Sequence, residues 1–205
     1  MSTLSRKKVL IVGGIHGVGK STLCAELARK DNALIIRQRH VLIEIGKELG
    51  LDWEEIGPLH SKFIAKVADI ITCRISDDDC RLAAIDCHYA IRTGKALRAK
   101  HVEVLEPYIP DLDPIVLSRA AEVHDVRMLL LKASPEICAE RIKVGSPDHR
   151  DFDLLLDGLR LMEVAEALFF ERLLSQHASV IGGALILQND ASLQELYTKV
   201  CAFLD

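Results

Sequence analysis

Aromatic side chains make up only 4% of the 205 residues, too few to supply a stacking platform for successive bases of a single strand. Basic blocks are equally scarce. The longest is Arg6-Lys7-Lys8, and with a net charge of −4 the chain lacks the cationic face that a phosphate backbone selects. The six cysteines (Cys24, Cys73, Cys80, Cys87, Cys138 and Cys201) contain no C-x-x-C pair. The even spacing of Cys73, Cys80 and Cys87 is too open for an ordinary zinc site, so they read as reduced, mostly buried thiols. No run reaches the ~18 consecutive apolar residues of a membrane span. Near the N-terminus, Gly and His interrupt the apolar stretch before it can form the h-region of a secretory signal. These absences lead to an expected cytoplasmic setting, with neither nucleic acid nor membrane as partner.

What is present is core material: 49% hydrophobic and 27% charged residues, enough for one compact domain over residues 1–205. Val9–Val12, Ala33–Ile36, Leu82–Asp86, Val126–Leu131 and Ala184–Leu187 read as buried strands. Between them lie helical patterns over Lys20–Lys30, Val41–Leu49, part of Trp53–Arg74, Pro135–Lys143 and Phe152–Gln176, with a last helix bearing Leu193, Leu196, Val200 and Phe203. Ser134 is the expected cap of one helix and Asn189 or Asp190 of the last, while Gly182-Gly183 reads as punctuation. Asp77-Asp78-Asp79 reads as a solvated loop. The stretch from Thr93 to Asp125 is the least legible. Strands alternating with helices predict an α/β domain with a doubly wound parallel sheet covered on both faces. Lid-like segments are expected at about 53–74, 95–124 and 144–151.

Gly14-Ile15-His16-Gly17-Val18-Gly19-Lys20-Ser21 fits G-x-x-x-x-G-K-[ST], and it sits between a strand and a helix, the context that this motif requires. Glycines let the backbone turn its N–H groups inward around a phosphate, and the helix N-terminus that follows adds positive potential. Gly14, His16, Gly17, Val18, Gly19, Lys20, Ser21 and Thr22 are the expected nucleotide-binding residues, with Lys20 reaching the outer phosphates and Ser21 offering a hydroxyl to Mg²⁺. In a parallel α/β sheet ligands sit at the carboxyl ends of strands. Asp86 ends one, and either holds Mg²⁺ opposite Ser21 or is an ordinary strand-end acid. Arg92 lies on the same rim, where a guanidinium can grip a phosphate in bidentate fashion. His88 reads as a structural hydrogen-bonding group. Arg141 and Arg150 are candidates for a clamp on the transferring group, or else surface charges.

These residues resemble an archaeal-type adenylate kinase, in the nucleoside monophosphate kinase branch of P-loop proteins. Ile85-Asp86-Cys87-His88-Tyr89-Ala90-Ile91-Arg92-Thr93 resembles that family's V-D-T-H-x-x-I-[KR]-T stretch. Val9–Leu27, Val41–Leu51, Ser134–Arg141 with His149-Arg150-Asp151, and Gly183–Leu204 extend the resemblance nearly end to end. It implies a five-stranded parallel sheet of order 2-3-1-4-5 and an ATP- and Mg²⁺-dependent kinase with Lys20, Asp86, Arg92, Arg141 and Arg150 at its centre. Three departures concern the other side of the site. Arg37-Gln38-Arg39 stands where the family has N-F-G, the segment 143–149 has lost most of its lid arginines, and Met162-Glu163-Val164 replaces M-N-R. Arg37 and Arg39 are therefore either ligands of an anionic acceptor or a surface pair.

The expected activity is transfer of the ATP γ-phosphoryl to a nucleoside monophosphate, AMP first. The alternatives are a kinase of another small phosphorylated or acidic metabolite, and a nucleotide-binding switch without turnover. The expected partners are nucleotide and acceptor. The sequence leaves a homo-oligomer open.

Overall fold

In the computed structural model the described residues are 6–52, 60–92, 108–110, 112, 114–145, 152–190 and 192–205. The elements in chain order are β1 (Lys8–Gly13), α1 (Lys20–Asp31), β2 (Leu34–Arg37), α2 (Gln38–Leu49), α3 (His60–Asp77), β3 (Leu82–Asp86), β4 (Ala90–Arg92), β5 (Tyr108–Pro110), α4 (Pro114–Val123), β6 (Asp125–Lys132), α5 (Pro135–Gly145), α6 (Phe152–His177), β7 (Ile181–Gln188) and α7 (Leu193–Leu204). Five strands form one parallel sheet in the order β2-β3-β1-β6-β7. Counted along that sheet alone, this is the expected 2-3-1-4-5 order.

Strand β1 is buried on both faces, and its side chains divide the core in two. Val9 and Ile11 pack with Ile36, Ile45, Ile71, Leu117 and Phe170, whereas Leu10 and Val12 pack with Leu23, Leu27, Leu196 and Val200. Two-sided burial explains why this strand reads as a continuous apolar run rather than an alternating one. Tyr89 fastens the centre. Its ring is fully buried against Phe170 at 5.1 Å and 62°, and its hydroxyl is shared by the carbonyls of Ile11 (3.0 Å) and Leu129 (3.1 Å).

Several local expectations change. Gly182 and Gly183 lie inside β7 rather than ending an element. A Cβ on Gly182 would stand 2.2 Å from Asp125 Oδ1, so the Asp125 side chain packs into the space this glycine leaves. The last helix is capped by Ser192, not by Asn189 or Asp190. Ser192 Oγ accepts from the Glu195 amide (3.3 Å) and the Glu195 carboxylate accepts from the Ser192 amide (3.0 Å), a reciprocal box. Within the poorly legible stretch, β4 and β5 form a small antiparallel sheet in which Ala90 pairs with Pro110 and Arg92 with Tyr108. The described part of the lid-like stretch 53–74 belongs to α3, whose Val67, Ala68 and Ile71 are buried in the core. Likewise Val116, Leu117 and Ala120 of α4 are buried. Residues 53–59, 93–107 and 146–151, which include the rest of the expected lids, lie outside the described residues. Ser134 caps α5 as expected, accepting from the Ile137 amide at 3.3 Å. Cys24, Cys80, Cys87 and Cys138 are buried thiols, Cys201 is half-buried and Cys73 is exposed. No helix among the described residues is long and apolar enough to cross a membrane.

At Gly13 an added Cβ would lie 2.2 Å from the Tyr89 ring, which is buried and wedged in the core. Gly13→Ala should therefore lower unfolding stability by about 1–3 kcal/mol through overpacking, read as a reduced urea midpoint at unchanged slope. An unchanged midpoint would show that Tyr89 is not wedged as described.

Candidate active site

Parallel register brings the carboxyl ends of three strands together. Val12 pairs with Asp86 on one side and Leu129 on the other, and Asp86 in turn pairs with Arg37. The chain leaving β1 at Gly13 thus enters its loop directly beside Asp86. Gly17 and Gly19 adopt φ of 77° and 101°, a region closed to most side chains. A Cβ at Gly17 would sit 2.6 Å from the Cys138 carbonyl oxygen, and one at Gly19 would sit 2.4 Å from Asn189 Nδ2. The loop is therefore packed from outside, leaving its concave side to whatever it cradles. Asn189 completes that support by donating to the Val18 carbonyl at 2.5 Å.

Lys20 is buried, and its ammonium donates to the carbonyls of Gly14 (2.6 Å) and Ile15 (3.2 Å). Ser21 Oγ, at the start of α1, donates to Asp86 Oδ2 at 2.7 Å. Two hard oxygen donors facing one another at a helix N-terminus fit Mg²⁺, which takes one or two protein oxygens and fills its other positions with water and phosphate. The cradle and Lys20 fit a polyphosphate by shape and charge. His16 and Thr22 are exposed at the loop, and Val18 is buried beneath it. Desolvation in the crowded loop, then the positive fields of His88, Lys20 and Arg39, hold the His16 imidazole well below its ordinary value, although the residue keeps surface access. Its ring packs at a tilt of 59° against that of His88, with centroids 4.5 Å apart.

The arginines divide. Arg141 reaches over the loop, donating to the carbonyls of Gly17 (3.4 Å) and Asn189 (3.3 Å). Arg39, in the first turn of α2, acts electrostatically on His16. Arg37 instead lines a cleft of 370 Å³ at the β2 end of the sheet with Ala25, Ala28, His40, Glu44 and Arg74. Arg92 ends β4, and Arg150 lies outside the described residues.

One residue was missed by sequence reasoning. Glu166, in α6, is 1% exposed. Its Oε1 meets His88 Nδ1 at 2.7 Å, its Oε2 accepts from the Tyr89 amide at 2.7 Å, and the amides of Gly14 and Ala90 lie near enough to favour its charge. His88 is thus the structural hydrogen-bonding group that was expected. The signal for Glu166 was its place on the buried stripe of α6, with Leu159, Met162, Phe170 and Leu173.

Comparisons with known proteins bear on the family and the fold. The profile of a family described as AAA domain matches residues 10–153. Among solved structures, shikimate kinase from Acinetobacter baumannii in complex with shikimate superposes with a TM-score of 0.53 at 15% identity, covering 98% of this chain and 93% of its own. TT1252 from Thermus thermophilus gives 0.54 at 15% identity, covering 98% and 100%. An uncharacterized protein from Eubacterium ventriosum gives 0.56 at 10% identity, covering 98% and 99%. At such identities the likeness is one of fold, and the fold is that of P-loop kinases. No curated protein sequence shows a significant match.

Burial pushes the Glu166 carboxyl up to about 7, against the opposing pull of Lys20 and of the amides of Tyr89, Gly14 and Ala90. An acid whose folded value is raised contributes stability while protonated, fully below its ordinary value and lost as pH rises through the folded one. Wild-type stability relative to Glu166→Gln should therefore fall as pH rises from about 4.5 to about 7, by an amount on the order of a few kcal/mol. Urea midpoints across that range check it, and a constant difference between the two proteins would contradict it.

Proposed function

The chain belongs to the AAA domain family, and on that ground we propose that it is an ATP-dependent phosphoryl transferase acting on a small-molecule acceptor. The observation that supports this most is the grouping of Lys20, Ser21 and Asp86 around one cradle, with Ser21 Oγ 2.7 Å from Asp86 Oδ2. Amides of Gly17 to Ser21 would hold the phosphates of ATP, and Lys20 would exchange the Gly14 and Ile15 carbonyls for phosphate oxygens. Ser21 and Asp86 would hold Mg²⁺, which supplies charge neutralisation and orientation of the phosphates. Arg141, already over Gly17, would offset charge on the nucleotide side, and Arg150 is the second arginine of the proposed clamp. Such transfer needs positioning and electrostatic compensation rather than a covalent enzyme intermediate.

The acceptor is proposed to be a nucleoside monophosphate, AMP first, on the strength of the resemblance carried by Ile85–Thr93. Arg92 and Arg39 are the proposed acceptor ligands, with Arg37 beside Asp86 in register as the third. A second reading is favoured by Arg37-Gln38-Arg39 and by the fold shared with a kinase crystallised with shikimate: the acceptor is then a different small acid. The proposed setting is cytoplasmic, and a homo-oligomer is compatible with it.

The purified protein with ATP, Mg²⁺ and a panel of acceptors separates these readings. ADP formation stimulated by AMP is expected. Stimulation only by a non-nucleotide acid would establish the second reading, and nucleotide binding with no acceptor-stimulated turnover would overturn both in favour of a switch. Lys20→Ala should lower turnover by roughly a hundredfold or more, since it removes a preorganised charge at the transferring group. Activity within about threefold of wild type would remove the loop from the chemistry.

A further inference from the structure

Helix α6 is a core helix, and an ionised side chain on its buried stripe is expensive unless its oxygens are fully occupied. Glu166 is held by His88 Nδ1 and the Tyr89 amide, and the Gly14 amide stands close by across the same small space. Gly14 opens the phosphate loop, while His88, Tyr89 and Ala90 belong to the turn that leaves β3 just after Asp86. These are the two halves of the site, and no strand pairing joins the loop itself to that turn. The charged and titratable groups around the carboxylate are Lys20 from α1, His88 and Tyr89 from the turn, and Glu163 and Lys132, which line the same small space between α6 and β6. A leucine at this position would satisfy the stripe and leave His88 Nδ1 and the Tyr89 amide without their partner.

We propose that Glu166 is a positioning residue for nucleotide binding, fastening the first glycine of the phosphate loop from beneath to the turn that carries Asp86. This rests on the reading of the loop as a nucleotide site. The tether fixes where the loop amides point and how far Lys20 and Ser21 stand from Asp86. Glutamine can take over the geometry, because its oxygen accepts the Tyr89 amide and its Nε2–H donates to His88 Nδ1 in the other tautomer. The rise of the carboxyl to about 7 agrees with a neutral group being tolerated. Alanine cannot replace any of these bonds.

The test is calorimetric titration of the full chain with ATP in magnesium-free buffer, for wild type, Glu166→Gln and Glu166→Ala, each checked for wild-type circular dichroism and one cooperative unfolding transition. Glu166→Gln should bind within about threefold of wild type, and Glu166→Ala should lose about tenfold or more through its missing hydrogen bonds. Equal affinity of wild type and Glu166→Ala would reduce Glu166 to a stability residue, and equal losses in both variants would show that charge, not the tether, matters. Either overturns the proposal while leaving the nucleotide site standing. Failure of wild type to bind ATP would instead sink the functional reading. Should Glu166→Ala not fold, amide hydrogen exchange on wild type decides: Gly14 and Tyr89 protected like strand amides supports the tether, and a Gly14 amide exchanging as fast as exposed loop amides overturns it.

Discussion

Parallel pairing on either side of β1 is the constraint on which the rest depends. Val12 is held between Asp86 and Leu129, so the loop begins at a fixed height beside the end of β3. Ser21 then meets Asp86 without any long side chain having to search for its partner. Because β1 is buried on both faces, a slip in this register would move every core contact of Leu10 and Ile11 to the wrong layer. The geometry of the cradle is thus set by the whole core and not by loop residues alone.

Above that constraint, the site is supported from outside by groups that are not themselves part of the cradle. Cys138 and Asn189 crowd the outer side of Gly17 and Gly19, Glu166 lies beside Gly14, and Tyr89 wedges against Gly13. Such a loop is preorganised, and the ordering entropy that a floppy loop would lose on binding has already been spent during folding. The arginines are less uniformly placed. Arg141 bonds loop carbonyls and Arg39 acts on His16, but Arg37 turns into the cleft at the β2 end of the sheet.

How much of this was legible in the sequence depended on how local the signal was. The phosphate loop could be read because strand, glycines, lysine and helix are contiguous, and Asp86 because a strand end is a local pattern. The order of the sheet came from resemblance and agrees with the structure. Ser192 was passed over as a cap because Asn189 and Asp190 precede it with the same chemistry, and only the reciprocal bond with Glu195 distinguishes it. Gly182-Gly183 looked like a turn because the side chains that pack into the space beside them, Asp125 and Phe203, are distant in sequence. The β4–β5 pairing joins three-residue strands, too short for any period to show. Glu166 went unnoticed for a different reason: the apolar stripe of α6 was read through its hydrophobic members, and the acid lying on that stripe was not set against them.

The central claim is that the amides from Gly17 to Ser21 close around a polyphosphate with Lys20 at its outer end. The most direct measurement is an amide-resolved NMR titration of the isotopically labelled chain with ATP. The account predicts saturable shifts concentrated at Gly17, Val18, Gly19, Lys20 and Ser21, with none in the amides of α4. Flat resonances across the loop at millimolar nucleotide, or shifts confined to the β2-edge cleft, would contradict it.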